Sequence, residues 1–70
     1  MQRRLVSSSS LASIGYAPES STLEVEYLRT GAVYRFFAVP QSVAVALMNA
    51  TSKGTFLNQN IRGTYPYARV

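Results

Sequence analysis

The chain reads as an α+β domain: a three-stranded antiparallel β-sheet followed by two short helices packed on one face, in the order β-β-β-α-α. Three observations predict it. Leu23, Val25 and Tyr27 alternate with Glu24 and Glu26, the period of a strand with one apolar and one wet face. Arg29-Thr30-Gly31 separates that run from a second one, Ala32–Val39, as a hairpin loop would. Beyond Pro40 the period lengthens, and Val43, Leu47 and Ala50 recur at helical spacing.

The elements follow in order. Residues 1–8 are polar and read as a flexible N-terminal arm, leaving 9–70 as a single domain. Ser9–Tyr16 forms the first strand with Leu11 and Ile14 buried, and its imperfect alternation calls for a bulge. Ala17-Pro18-Glu19-Ser20-Ser21 is a turn by its Pro and Ser content. Thr22–Leu28 is the second strand. Setting Tyr27 opposite Tyr34 and Val25 opposite Phe36 buries the aromatics and places Glu26 opposite Arg35 on the other face. Pro40 suits the first turn of a helix, where its missing N–H costs nothing. Ser52 caps a second helix over about 53–60, with Phe56, Leu57 and Ile61 as its apolar stripe. Pro66 keeps the tail from continuing that helix and leaves it extended.

Composition narrows the function. The chain has no cysteine and no histidine, which removes disulfides, thiolate metal sites and the commonest general base. No metal and no cofactor are expected. Seven Lys and Arg against three Glu leave a net charge of +4, which favours anionic partners. No apolar run approaches the roughly 18 residues that span a bilayer, so a membrane is not expected as a partner. Serines stand at 7–10, where a signal peptide needs its apolar stretch, and a cytoplasmic location is the expectation. Self-association is one route by which so small a domain gains stability, so a homo-oligomer is also expected.

Taken together, several blocks resemble the KTSC domain family. They are Ser8-Ser9-Ser10-Leu11-Ala12-Ser13-Ile14-Gly15-Tyr16, Leu23-Glu24-Val25-Glu26-Tyr27, Val33-Tyr34-Arg35-Phe36, Val39-Pro40 and Ala50-Thr51-Ser52-Lys53-Gly54. Phe56 with Asn58, Ile61-Arg62 and Tyr65-Pro66-Tyr67-Ala68-Arg69-Val70 continue the likeness to the chain end. That family is named for its place at the C-terminus of some lysyl-tRNA synthetases and also occurs as small stand-alone proteins of bacteria and phages. The resemblance implies one fold over most of the chain and suggests RNA binding, and it narrows the fold far more than the activity. The chain departs from the family pattern at Phe36, where a second tyrosine is usual, at Ala17 and at Ala44.

The residues themselves point the same way. Residues 52–70 hold Lys53, Arg62 and Arg69, the rings of Phe56, Tyr65 and Tyr67, and three amides, without one carboxylate. Cations that hold phosphate, flat rings that stack on bases and amides that read base edges are the parts of a nucleic-acid surface. The expected phosphate contacts are Arg35, Lys53, Arg62 and Arg69. The expected stacking or base contacts are Tyr34, Asn58, Tyr65 and Tyr67. Five of them have a plainer reading: Arg35 as the ion-pair partner of Glu26, Lys53 and Arg62 as solvated side chains, and Tyr65 or Tyr67 as core. Catalysis is not expected, because the serine run has no base to activate it and Lys53-Gly54-Thr55 is too short for a phosphate loop. The sequence thus supports a non-enzymatic binder of nucleotides or single-stranded nucleic acid. The alternatives are an interaction or assembly module, or an oligomer that sequesters a small nucleotide.

Overall fold

A computed structural model describes residues 1–70. It has five antiparallel strands, where the sequence predicted three, and two helices. Strands β1 (Arg4–Leu5), β2 (Leu11–Ala17), β3 (Thr22–Tyr27) and β4 (Val33–Phe36) lead into helices α1 (Gln41–Asn49) and α2 (Lys53–Asn60). The chain ends on β5 (Tyr67–Arg69). The strands lie side by side in sequence order.

The two strands missed in the sequence are the two edges. Neither two residues nor three can display the two-residue period by which strands are recognised. β1 lies within the segment read as an arm, pairing Arg4 with Ile14 and Leu5 with Ser13. β5 pairs Tyr67 with Phe36 and Arg69 with Tyr34. Phe37 N–H to the Pro66 carbonyl (2.9 Å) and Val70 N–H to the Val33 carbonyl (2.8 Å) extend that ladder at both ends. The extended tail therefore occupies the hydrogen-bonding edge that β4 would otherwise leave open.

The β3–β4 hairpin corrects the expected register. Val25 faces Tyr34 and Glu24 faces Arg35, so the partner of Arg35 is Glu24 and not Glu26. The loop fixes this register. Tyr27 N–H donates to the Ala32 carbonyl, and Gly31, at φ 71°, donates to the Tyr27 carbonyl, closing the hairpin around residues 28–31. The slip is two residues, so every side chain keeps its face. The bulge expected in the first long strand lies between Leu11 and Ser13.

One face of the sheet carries the core. Leu11, Ile14, Leu23, Val25 and Phe36 pack against Ala44 and Leu47 of α1 and Leu57 and Ile61 of α2, with Val39 at the sheet–helix joint. Each fully buried large side chain of this kind contributes roughly 1.5–3 kcal/mol. Ser52 caps α2 by accepting from Thr55 N–H, as the sequence indicated. Pro40 sits at the N-cap of α1, just ahead of its first turn. Neither helix is long and apolar enough to cross a membrane.

The opposite face is polar and closed by charge. Glu24, only 4% exposed, accepts from Arg3 Nη1 at 2.5 Å and from Arg35 Nε at 2.7 Å. Arg3 Nε also donates to Ser13 Oγ, whose hydroxyl donates to Glu26. The Arg35 hydrogen bond is the main cause that holds the Glu24 carboxyl below its ordinary 4.5; burial works against it, and Arg3 adds to the lowering. A lowered carboxylate stabilises the fold in full above the unfolded value, and that stabilisation is lost as pH falls through the folded value. Thermal denaturation from pH 6 downward should therefore show stability falling below about pH 4.5. In Glu24→Gln the stability at pH 6 should be lower and its slope on the acid side shallower.

Candidate functional site

Where the helices stop covering the sheet, a groove of about 580 Å³ opens between β3–β5 and α2. Its floor is a row of rings, Tyr27, Tyr34, Phe36 and Tyr67, all on the core face of adjacent strands. Tyr27 and Tyr34 meet edge to face with centroids 5.6 Å apart. Tyr34 and Tyr67 do so at 5.8 Å, and Tyr67 leans on Phe36 at 5.7 Å. Tyr67 is 57% exposed, while Tyr27 and Tyr34 are half-buried.

One wall is α2, which presents Gly54, Leu57, Asn58 and Arg62. Another is Ser9-Ser10, held against the hairpin by Leu28 N–H donating to the Ser10 carbonyl at 3.0 Å. Arg29 and Thr30 from the hairpin loop and Arg69 from β5 complete the rim. Gly54 sets the spacing of these walls: a β-carbon there would stand 2.7 Å from Ser10 Cβ, closer than packed atoms approach.

Charge is distributed unevenly around this groove. None of the residues lining it is acidic. Arg29, Arg62 and Arg69 are exposed and take part in no ion pair, whereas Glu24 and Glu26 lie on the other face of the sheet with Arg3 and Arg35. Arg62 donates one long hydrogen bond, 3.4 Å, to Asn58 Oδ1. Burial raises the Tyr27 hydroxyl above its ordinary 10, with the nearby Arg62 charge partly opposing it, so this phenol stays protonated at neutral pH.

Of the residues singled out in the sequence, Tyr34, Asn58, Arg62, Tyr67 and Arg69 come together here. Three do not. Arg35 lies on the far face, bound to Glu24. Lys53 turns its Nζ back to the Ala50 carbonyl, 3.2 Å away, and lines no part of the groove. Tyr65 is half-buried and packs against the core. Arg29 was missed: it stands in the hairpin loop, far in sequence from the basic tail, yet it lines the same groove. Its charge in a hairpin loop that holds no acidic residue was the one available signal.

The architecture defines a class of small α+β domain, with a meander sheet, two helices on one face and a cation-rimmed groove where they part. Residues 7–65 match the model of the KTSC domain, and the chain belongs to that family. A protein of Stutzerimonas stutzeri is 46% identical over 71 residues, covering 100% of this chain and 99% of its own length. A lysine–tRNA ligase of Nostoc is 36% identical over 55 residues, which cover 79% of this chain but 10% of the ligase. The crystal structure of a KTSC domain protein from Yersinia pestis superposes with a TM-score of 0.93 at 36% identity, covering 99% of this chain and 96% of that one.

The contact between Gly54 and Ser10 gives a direct check on how the groove is shaped. Gly54→Ala should lower stability by about 1–3 kcal/mol in a denaturant melt, because the new methyl pushes α2 from the Ser10 wall. Pairing it with Ser10→Gly should recover most of that loss.

Proposed function

We propose that this domain is a non-enzymatic binding module for nucleotides or single-stranded nucleic acid, RNA included, and that its groove is the site. One observation carries the proposal: three guanidinium groups free of carboxylates line the same groove as a half-exposed tyrosine ring. Arg29, Arg62 and Arg69 fork onto phosphate oxygens. The face of Tyr67 stacks on a base, and Asn58 offers both a donor and an acceptor to a base edge. A cavity of 580 Å³ falls within the range of about 300–1,000 Å³ that small-ligand sites occupy. The groove holds no histidine, cysteine or carboxylate to move a proton, and Tyr27 is held in its neutral form, so the chemistry favoured is binding. The related segment within a protein named for lysine and tRNA supports contact with RNA. Assembly through the sheet edges, where Leu5 and Val70 are exposed, is the second reading, but those residues gather no comparable set of groups.

Fluorescence titration tests the proposal. For single-stranded RNA, three phosphate contacts give a log–log salt slope of about −2. The double substitution Arg62→Ala/Arg69→Ala should weaken binding of nucleotide or RNA by roughly tenfold or more, since charge-assisted bonds are lost. Arg4→Ala, at the opposite edge of the sheet, should change it little. Equal losses from both variants, or no binding to either probe, would overturn the site.

A further inference from the structure

We infer that the ligand of this groove is a nucleoside with clustered phosphates, two or more together, and not the interior of a nucleic-acid strand. This assignment rests on the groove being a nucleotide site.

The rings supply the first argument. Tyr27 meets Tyr34 at 89°, and Tyr34 meets Tyr67 at 61°, so the edge of one ring lies against the face of the next. Packed in that way, Tyr27 and Tyr34 are half-buried and offer a base little open face. Phe36 is 1% exposed and unavailable. Only Tyr67 keeps a large free surface, which leaves room for a single base.

The cations supply the second. Three guanidiniums outside any ion pair line the groove together with that single open ring. A strand interior spreads its phosphates along the backbone, one to each base. Three guanidiniums in one groove with one open ring are matched best by phosphates clustered on a single nucleoside. A nucleoside diphosphate brings about three charges at neutral pH, as expected for phosphates whose last proton leaves near pH 6.

The third is what surrounds the groove. A strand passing through needs cations beyond it to follow its backbone. Arg3 and Arg35 are paired with glutamates on the opposite face, Lys53 is turned to the Ala50 carbonyl, and Arg4 stands on the far edge strand. No basic track leads out.

Two sources share this chemistry: a free nucleoside polyphosphate and the 5′-phosphorylated end of an RNA. The test is calorimetric titration of the intact protein, at one salt concentration, with adenosine and guanosine and their mono-, di- and triphosphates. Two RNAs of identical sequence follow, one with a 5′-hydroxyl and one with a 5′-triphosphate. Affinity should rise roughly tenfold or more from monophosphate to diphosphate, as one further charge-assisted contact forms. The 5′-triphosphate RNA should bind as the free nucleotides do if strand ends are the source, and no better than the 5′-hydroxyl RNA if free nucleotides are. Tyr67→Ala should weaken binding about tenfold and Tyr67→Phe scarcely at all, with thermal melts confirming that both fold. A 5′-hydroxyl RNA that binds at least as tightly as any diphosphate, more so with length, overturns this inference and leaves the groove a nucleic-acid site. Silence toward every probe overturns both.

Discussion

Glu24 is the residue on which the arrangement depends. Its carboxylate is almost fully removed from water, and such burial is tolerable only with partners in place. Arg3 comes from the segment leading into β1 and Arg35 from β4, so the one carboxylate ties together strands on either side of its own. The Arg3 segment can cross close to β2 because Gly15 has no side chain; a β-carbon there would stand 2.7 Å from the Gln2 carbonyl oxygen. The same cluster decides where positive charge is left over. With Glu24 and Glu26 held on the outer face, and Glu19 in the turn before β3, no acid remains to neutralise the groove.

The division of faces follows from this. A meander of antiparallel strands has two faces, and here one is sealed by helices and the other by an ion cluster. The helices are too short to cover the whole apolar face. They leave the tyrosine end of β3–β5 partly open, and the tail returns along β4 to place Tyr67 and Arg69 on that opening. Gly63 at φ 83° and the hydrogen bonds from Thr64 and Tyr65 N–H to the Ile61 carbonyl turn the chain out of α2 toward this edge.

Much of this was legible in the sequence where a period could express itself. The β3 alternation, the Ser52 cap, the span of α2 and the bulge near Leu11 all appear where residue pattern put them, but the face expected to be wet holds Glu24 buried beneath two arginines. Register did not, because alternation fixes which face a residue takes but not its partner, and a slip of two costs no burial. Glu24 or Glu26 could equally meet Arg35; the tight loop closed by Gly31 decides for Glu24. The short edge strands escaped for want of length. The site was legible in its tail residues, Arg62, Tyr67 and Arg69 with Asn58. Lys53, at the start of α2, and Arg35, on the outer sheet face, do not join them because each is held by a nearer partner, and Arg29 was passed over because nothing in sequence separation shows that a hairpin tip reaches α2.

The central claim is that unpaired charge and the one available ring converge on a single face. Amide-resolved NMR during titration with a nucleoside diphosphate tests it most directly. Saturable shifts confined to the backbone amides around Arg29, Asn58, Arg62, Tyr67 and Arg69 are the expected result. Shifts centred on Arg3, Glu24 and Arg35, or scattered over both faces without saturation, would contradict it.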